Sequence, residues 1–222
     1  MNIYWLGNDP NEAFPDVEQA FTEPDGLLAA GGDLSPARLI NAYQHGIFPW
    51  YNPGEPILWW SPNPRCVLFP EQIKISKSLK RTLKKGLFEI RFNSAFADVM
   101  NACAEPRPNQ DGTWISNEMF QAYLKMHKLG YAYSVECWQD ESLVGGLYGI
   151  MLGKVFFGES MFSRVSDASK VALVHLCRFL VEKNVKLIDS QVHTAHLESL
   201  GAQMIPRQEF VNLLQENIDL DQ

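Results

Sequence analysis

Apolar residues recur at helical spacing in several stretches of the chain. The stretches 76–85, 94–104 and 116–129 carry apolar residues three or four positions apart, which predicts helices that each bury one face. The run 168–181 is apolar on nearly every side, as expected of a helix inside the core. A last short helix is predicted over 193–201.

Other stretches have the length and the β-rich composition of strands. The runs 131–138 and 143–148 are joined by a short polar connection, and the run 154–157 follows closely. Such short connections predict an antiparallel meander. The run 185–192 predicts a further strand after the buried helix. The second part of the chain is therefore expected to mix helices and strands.

The N-terminal part is rich in turn residues and aromatic residues. Ser35-Pro36 predicts the start of a helix, because Ser can cap it and Pro fits its first position, and Gly46 is suited to end it. The Pro62/Pro64 pair is the most credible domain boundary. The sequence thus predicts a small N-terminal domain over 1–62 and a larger domain over 63–222.

Composition narrows the class of protein. Hydrophobic residues make up 46% and charged residues 20% of the chain, which excludes a chain that is disordered throughout. No apolar run approaches the roughly 20 residues that span a bilayer, and residues 1–5 lack the features of a signal peptide. We therefore expect a cytoplasmic protein with no membrane partner. The 4 cysteines are widely spaced, which predicts reduced thiols.

The charge is unevenly distributed. A net charge of −7 argues against a general nucleic-acid binder, but one short segment carries six basic residues and no acid, which leaves −13 on the rest. We call these residues the basic island: Lys74, Lys77, Lys80, Arg81, Lys84 and Lys85. The segment predicts a helix with Leu79 and Leu83 facing the core. The island is either a solvated face or a site for a polyanion such as a phosphate backbone, and the absence of interleaved acids favours the polyanion.

Two polar residues interrupt the last predicted strand. Asp189 and Gln191 stand two positions apart, so a regular strand would point both side chains to one face, about 7 Å apart. Polar groups between apolar segments are costly to bury unless they are hydrogen-bonded or used, which suggests a functional role. A solvent-facing strand is the equally weighted alternative.

Further candidates are weaker. The segment 158–163 offers Glu159 for a cationic group, although a tight turn with a surface acid fits the spacing better. Trp50 and Trp114 stand in turns and could stack on unpaired bases, whereas most tryptophans are packing residues. His193 and His196 lack a third strong ligand, so no metal site is expected. Neither a phosphate-binding loop nor a GxSxG motif is present in the sequence.

Seven stretches together resemble the bacterial leucyl/phenylalanyl-tRNA–protein transferases. They run through most of the chain: EPDGLLA (23–29), GGDLSPARL (31–39), GIFPW (46–50), ILWWSP (57–62), GTWI (112–115), GESMFS (158–163) and DSQV (189–192). The resemblance implies an α+β fold in which a small N-terminal domain precedes a domain related to the N-acetyltransferases (the GNAT fold). It implies an enzyme that moves Leu or Phe, and less well Met, from aminoacyl-tRNA to the N-terminal Arg or Lys of a protein, which marks that protein for degradation.

The resemblance also implies roles for particular residues. Asp189 and Gln191 match the pair that assists the attacking α-amine, and we expect Gln191 to orient the amine while Asp189 polarises it or takes up its proton. Trp50 and Trp114 match aromatic residues near the 3′-adenosine, and the basic island matches the surface that meets the tRNA acceptor arm. The aminoacyl pocket is expected to be lined by Leu147, Phe156, Glu159, Met161, Leu176 and Leu180. No cofactor is expected, because an aminoacyl ester is already activated.

Two other functions remain open from the sequence. An acyl-CoA-dependent N-acyltransferase of the same fold would need a glycine-containing pyrophosphate loop, whereas the segment 163–168 has no glycine and carries an acid. A non-catalytic RNA-binding module would explain the basic island and the tryptophans, but it would leave Asp189, Gln191 and the apolar pocket without a purpose.

Overall fold

A computed structural model describes residues 3–106 and 115–219 of the chain. Within these ranges the strands form a four-stranded sheet and a seven-stranded sheet. The smaller sheet consists of β1 (Tyr4–Leu6), β2 (Leu27–Gly31), β3 (Phe48–Pro49) and β4 (Leu58–Trp60), in the order β1-β2-β4-β3. The segment after β4 then leads the chain into the larger sheet.

Helix α1 (Pro36–Gln44) connects β2 to β3, as the sequence predicted. The Ser35 hydroxyl accepts a hydrogen bond from the Arg38 backbone N–H, and Pro36 occupies the first helical turn. Gly46, with φ +75°, then reverses the chain just after the helix. The helix therefore directs the chain into β3 and the exposed Trp50.

The larger sheet has the order β11-β5-β10-β9-β8-β7-β6. Its strands are β5 (Arg65–Leu68), β6 (Glu89–Phe92), β7 (Ala132–Gln139), β8 (Ser142–Leu152), β9 (Val155–Ser163), β10 (Leu187–Gln191) and β11 (Gln203–Ile205). Strands β7 to β9 form the predicted antiparallel meander, β6 adds an antiparallel strand that was not predicted, and β10 lies parallel to β9. The two sheets and their helices confirm the predicted α+β class, with a small N-terminal sheet followed by a larger sheet.

Helices cover both faces of the larger sheet. They are α2 (Lys77–Lys85), α3 (Phe96–Ala104), α4 (Asn117–Lys128), α5 (Ala168–Glu182), α6 (Ala195–Ser199) and α7 (Arg207–Asn217). Helices α3 and α4 lie on the face shared with the smaller sheet, whereas α2 and α5 lie on the other face. The helices predicted over 76–85, 94–104, 116–129, 168–181 and 193–201 are confirmed, with shifts of a few residues at their ends.

Strand β9 is longer than the sequence predicted. A strand was expected over 154–157, with a tight turn as the favoured interpretation of 158–163, but β9 continues to Ser163 because β8 pairs with it along that length. The tight-turn interpretation is therefore wrong. Strand β10 pairs with β9 only as far as Asp189 opposite Phe157. Beyond this point the two strands separate and open a cleft between them.

The C-terminal part holds two elements that the sequence reading missed, β11 and α7. Arg207 at the start of α7 is largely buried, and its Nη1 donates to the Ser61 carbonyl at 2.7 Å while its backbone N donates to Asn63 Oδ1 at 3.0 Å. Helix α7 thus fastens the segment that connects the two sheets. One core cluster contains residues of both sheets, and the boundary between residues 62 and 63 stays a prediction.

Candidate active site

A cavity of about 820 Å³ opens where β9 and β10 separate. Strands β8, β9 and β10 contribute to its wall together with helix α5 and the Phe48–Trp50 segment. Four of the residues expected in an aminoacyl pocket line it with apolar side chains: Leu147, Phe156, Met161 and Leu176. The cavity is therefore largely apolar, and the polar residues on its wall stand out.

Leu180 is a correction to the expected pocket. It lies one helical turn beyond Leu176 on α5 and is fully buried among core residues such as Cys177 and Val185. It does not belong to the lining of the cavity. The helical repeat carries Leu180 along the buried face of α5, but the cleft between β9 and β10 does not extend that far.

Glu159 reaches the cavity because β9 contains a bulge. Tyr148 of β8 pairs with Ser160 and Gly149 pairs with Gly158, so Glu159 is the extra residue with no opposite partner on β8. Gly149 permits this close approach, since a Cβ at that position would lie 2.2 Å from the Phe157 carbonyl oxygen. The bulge and the close backbone approach therefore occur together at this point of the sheet.

Three neutral groups donate hydrogen bonds to the Glu159 carboxylate. The hydroxyl of Tyr43 lies 2.6 Å from Oε1, the hydroxyl of Tyr123 lies 2.9 Å from Oε2, and Gln191 Nε2 lies 3.1 Å from Oε1. The two tyrosine hydroxyls also contact each other. Burial raises the pKa of both phenols well above its ordinary value, so they remain donors at neutral pH.

The surroundings of Glu159 favour its neutral form. Burial raises the pKa of Glu159 to about 7, and the nearby Asp189 charge adds to the rise, whereas the hydrogen bonds from Tyr43, Tyr123 and Gln191 lower it. A carboxyl group with such a pKa is partly ionised at neutral pH. It can therefore accept and release a proton under these conditions.

Gln191 bridges the cleft from the β10 side. A second bulge, between Asp189 and Gln191 in the pairing with β5, breaks the alternation of β10, and Gln191 adopts a left-handed φ of +62°. Its amide nitrogen donates to Glu159 Oε1. Because the Nε2 side of the amide is committed to the carboxylate, the Oε1 side is left to accept a hydrogen bond.

The expectation that Asp189 and Gln191 share one wall is wrong, because the bulge rotates Gln191 away from regular strand geometry. Asp189 is fully buried and does not line the cavity. Arg65 Nε and Nη2 donate to its two carboxylate oxygens at 2.8 Å and 2.7 Å, and the Gln191 backbone N–H donates to Oδ1 at 2.9 Å. A substrate amine in the cavity has no direct route to this carboxylate.

Trp50 stands at the edge of the cavity, where half of its surface is exposed (50%). Its ring lies 5.6 Å from that of Trp60, whose indole N–H donates to the Trp50 carbonyl at 2.6 Å. The backbone at Trp50 is thus held while the ring faces solvent. Trp114, the second aromatic residue expected near the 3′-adenosine, lies outside the described residues.

The basic island forms one exposed surface. Its members lie on α2 or just before it, and all six are exposed. Ser76 caps the helix by accepting from the Leu79 backbone N–H, and Leu79 is buried. Within residues 3–106 and 115–219, none of the six forms an ion pair with an acid. The island is therefore available to an anionic partner.

Sequence reasoning missed three residues of the site. Nothing in the sequence pattern pointed to Tyr43 or Tyr123 as hydrogen-bond partners of Glu159. Arg65 pairs with a residue 124 positions away, which no local pattern shows. The three depend on contacts between distant segments of the chain.

No helix among the described residues is long and apolar enough to cross a membrane.

Known proteins resemble the chain over most of its length. Residues 32–63 match the family model of the leucyl/phenylalanyl-tRNA protein transferase N-terminal domain, and residues 67–215 match the model of leucyl/phenylalanyl-tRNA protein transferase. A curated protein of that name from Nitrosomonas eutropha is 64% identical over 90% of this chain and 86% of its own length. Another, from Chromobacterium violaceum, is 57% identical over 97% of this chain and 92% of its own length.

A solved structure, a GCN5-related N-acetyltransferase from Kribbella flavida, overlaps 78% of this chain and 61% of its own chain, with 12% identity and a TM-score of 0.38. The two family models cover every residue that lines the cavity, and they leave out β1, β2 and Arg65. The chain therefore belongs to the leucyl/phenylalanyl-tRNA protein transferase family of enzymes.

Proposed function

We propose that the chain transfers Leu or Phe, and less well Met, from aminoacyl-tRNA to the N-terminal Arg or Lys of an acceptor protein, which creates a degradation signal. The observation that carries this proposal is the cavity between β9 and β10, where an apolar wall meets the hydrogen-bonded Glu159 and Gln191. Family membership supports the transfer of an amino acid from tRNA to a protein.

The apolar wall suits the side chain of the donor amino acid. Leu147, Phe156, Met161 and Leu176 supply aliphatic, aromatic and thioether surface but no charge. Met161 can adjust to both branched and aromatic side chains, because methionine is flexible and polarisable. The volume of about 820 Å³ lies in the range of small-molecule sites and leaves room for part of the terminal adenosine.

The chemical step forms one C–N bond and breaks one C–O bond. The neutral α-amine of the acceptor attacks the ester carbonyl carbon of the donor, and the ester oxygen of the terminal ribose leaves with a proton. The Oε1 atom of Gln191 accepts a hydrogen bond from the amine and orients it, while the ionised Glu159 carboxylate takes up the proton that the amine loses. The proton can then pass to the leaving oxygen, so Glu159 returns to its starting state.

The tRNA would be held outside the cavity. Trp50 offers an exposed ring for stacking against the terminal adenosine, and the basic island offers six cations to the phosphates of the acceptor arm. Phosphate contacts position the tRNA without reading its bases. The island accordingly contributes to affinity for many tRNAs and not to the choice among them.

Acyl-CoA is poorly suited to this site. Asp167 precedes α5, where related acyltransferases bind pyrophosphate, and its Oδ2 accepts from the Thr82 hydroxyl at 3.0 Å. Ser163 Oγ already accepts from the Ser169 backbone N–H. A carboxylate and an occupied N–H at this turn disfavour a pyrophosphate group.

The test is a transfer assay with the purified protein. Charged Leu-tRNA, labelled in the amino acid, is mixed with a peptide that starts with Arg, and two matched controls carry an N-terminal Ala or an acetylated N-terminal Arg. We expect label in the Arg peptide and in neither control. Transfer from acyl-CoA in place of the tRNA, or equal labelling of the Ala peptide, would contradict the proposal.

A further inference from the structure

We propose that Arg65 is a positioning residue for the transfer reaction: acting through Asp189, it holds the backbone at Gln191 so that the Gln191 amide faces Glu159 and the cavity. The inference rests on the proposed function for its activity measurements only. Neither Arg65 nor Asp189 lines the cavity, so neither is a catalytic residue in this account.

The ion pair is closed to solvent. The side chains of Arg65 and Asp189 are both 0% exposed, and the guanidinium contacts both carboxylate oxygens. A buried ion pair is often no more stabilising than apolar residues of the same size, because its charges must leave water. Its retention here points to a role other than stability.

The backbone of Gln191 needs an anchor. A left-handed φ of +62° is uncommon for a residue other than glycine, and it persists only where neighbouring groups enforce it. Asp189 Oδ1 accepts from the Gln191 backbone N–H and from Arg65 Nε together. Arg65 therefore fixes the oxygen that fixes the backbone of Gln191.

Two aromatic rings make cation–π contacts with the Arg65 guanidinium. The Arg65 Cζ atom lies 4.8 Å from the centre of the Phe48 ring and 4.6 Å from that of the Phe210 ring. Within the described parts of the chain, Arg65 Nη1 has no hydrogen-bond partner, so the rings and the carboxylate alone position the group. Phe48 belongs to β3 and Phe210 to α7, so distant segments of the chain converge on one guanidinium.

Lysine cannot reproduce this arrangement. A planar guanidinium binds a carboxylate through two parallel N–H groups and stacks on rings, whereas an ammonium is a strongly hydrated point charge. Arg65→Lys keeps the charge and should still lose the geometry. We expect at least a tenfold loss of kcat with little change in the KM for aminoacyl-tRNA, since docking does not use Arg65.

The test compares three variants at a temperature where each is folded. Arg65→Lys is the first, and Arg65→Met combined with Asp189→Leu is the second, because an apolar pair should restore the melting temperature without anchoring Gln191. Arg38→Met is the matched control: it also removes a fully buried guanidinium, one that pairs with Asp33, and neither residue lines the cavity. Hydrogen exchange of the Gln191 backbone amide is measured in all of them.

We expect the apolar double variant to melt near the wild type and yet to stay at least tenfold slow, with an unprotected Gln191 amide. Arg38→Met should keep its kcat and its Gln191 protection even where it melts lower. Recovery of kcat together with the melting temperature in the double variant, or a protected Gln191 amide in Arg65→Lys, would overturn the inference. Absence of transfer by the wild type would instead overturn the proposed function, and the exchange measurement would still decide the role of Arg65.

Discussion

Two carboxylates on neighbouring strands, Glu159 of β9 and Asp189 of β10, differ in the groups that surround them. Asp189 accepts hydrogen bonds from the Arg65 guanidinium and from a backbone N–H, and it does not line the cavity. Glu159 lines the cavity, and the groups that donate to it within the described part of the chain are all neutral: two phenols and one amide. A cation compensates a buried carboxylate far better than neutral donors do.

We infer from this difference that Asp189 supports the site and that Glu159 takes part in the chemical step. Burial raises the pKa of Glu159 to about 7 because its neutral donors only partly replace the lost water. Of the two carboxylates, Glu159 alone can exchange a proton with a group in the cavity at neutral pH. Asp189 is the anchor of Gln191, and of the four predictions that follow, those on Asp189 and Glu159 test this division while the other two test the surfaces around it.

Replacing Asp189 by Ala should have the largest effect. The change leaves the Arg65 guanidinium buried without its carboxylate, which costs about 3–5 kcal/mol of the free energy of unfolding. It also frees the Gln191 backbone N–H. Turnover should fall far more than tRNA affinity, as single-turnover rates and direct tRNA-binding measurements would report. Equal losses in turnover and tRNA binding would contradict the role of Asp189 as the anchor of Gln191.

Removing apolar surface from the cavity should have the next largest effect. Phe156→Ala or Met161→Ala should lower kcat/KM for Leu and Phe donors, because the pocket loses apolar contact. The loss of transition-state stabilisation should be about 1–3 kcal/mol. Leu180→Ala is the control, since Leu180 lies in the core and not in the wall. It should lower the melting temperature and leave the relative rates for Leu, Phe and Met unchanged. Relative rates that shift equally in all three variants would contradict the proposal that Phe156 and Met161 contact the side chain of the donor amino acid.

Glu159→Gln should change how stability depends on pH. In the folded protein the pKa of Glu159 is about 7 against an ordinary 4.5, so the wild type loses stability as pH rises from about 4.5 to about 7. The Gln variant has no titrating group at this position, so it lacks this pH-dependent loss of stability. The difference in melting temperature, variant minus wild type, should therefore rise across that window and stay level below and above it. A difference that is flat from pH 4 to pH 8 would contradict the raised pKa.

The basic island should give the smallest effect per residue. Lys80→Ala or Arg81→Ala should weaken the binding of tRNAs of different sequence about equally. Each substitution should also flatten the salt dependence of binding, by about 0.7–0.9 in log-log slope per lost phosphate contact. Transfer from a minimal aminoacyl-adenosine donor should remain nearly intact. Lys125→Ala, an exposed lysine on α4 and not on α2, is the control and should change neither quantity. An unchanged slope, or an equal loss with the minimal donor, would remove the island from tRNA binding.

Local signals in the sequence were enough for much of the fold. Ser35-Pro36 and Ser76 mark helix starts by capping chemistry that needs only neighbouring residues, and the apolar run 168–181 is a buried helix because no face of it is polar. Leu147, Phe156 and Leu176 lie on strands and a helix that the pattern predicts, whereas their grouping in one pocket was implied by the family resemblance.

The candidate site was harder to predict because it depends on irregularities in two strands. Two bulges, at Glu159 and between Asp189 and Gln191, cancel the period of two that places side chains on a strand. The pairing of Arg65 with Asp189 joins residues far apart in the chain, and α7 supplies Phe210 from a segment that carried no functional signal. Such features follow from tertiary packing and not from local pattern.

The most direct measurement of the central claim is the pH dependence of single-turnover transfer from an aminoacyl-adenosine donor to an Arg-starting peptide, in the wild type and in Glu159→Gln. The wild type needs both a neutral acceptor amine, with a pKa near 8, and an ionised Glu159, whose pKa is about 7. Its log rate should rise with a slope of about two below pH 7, about one between pH 7 and 8, and then level off. Glu159→Gln should be slower and rise with a slope of about one up to pH 8 before levelling off, whereas identical slopes below pH 7 would contradict proton transfer to Glu159.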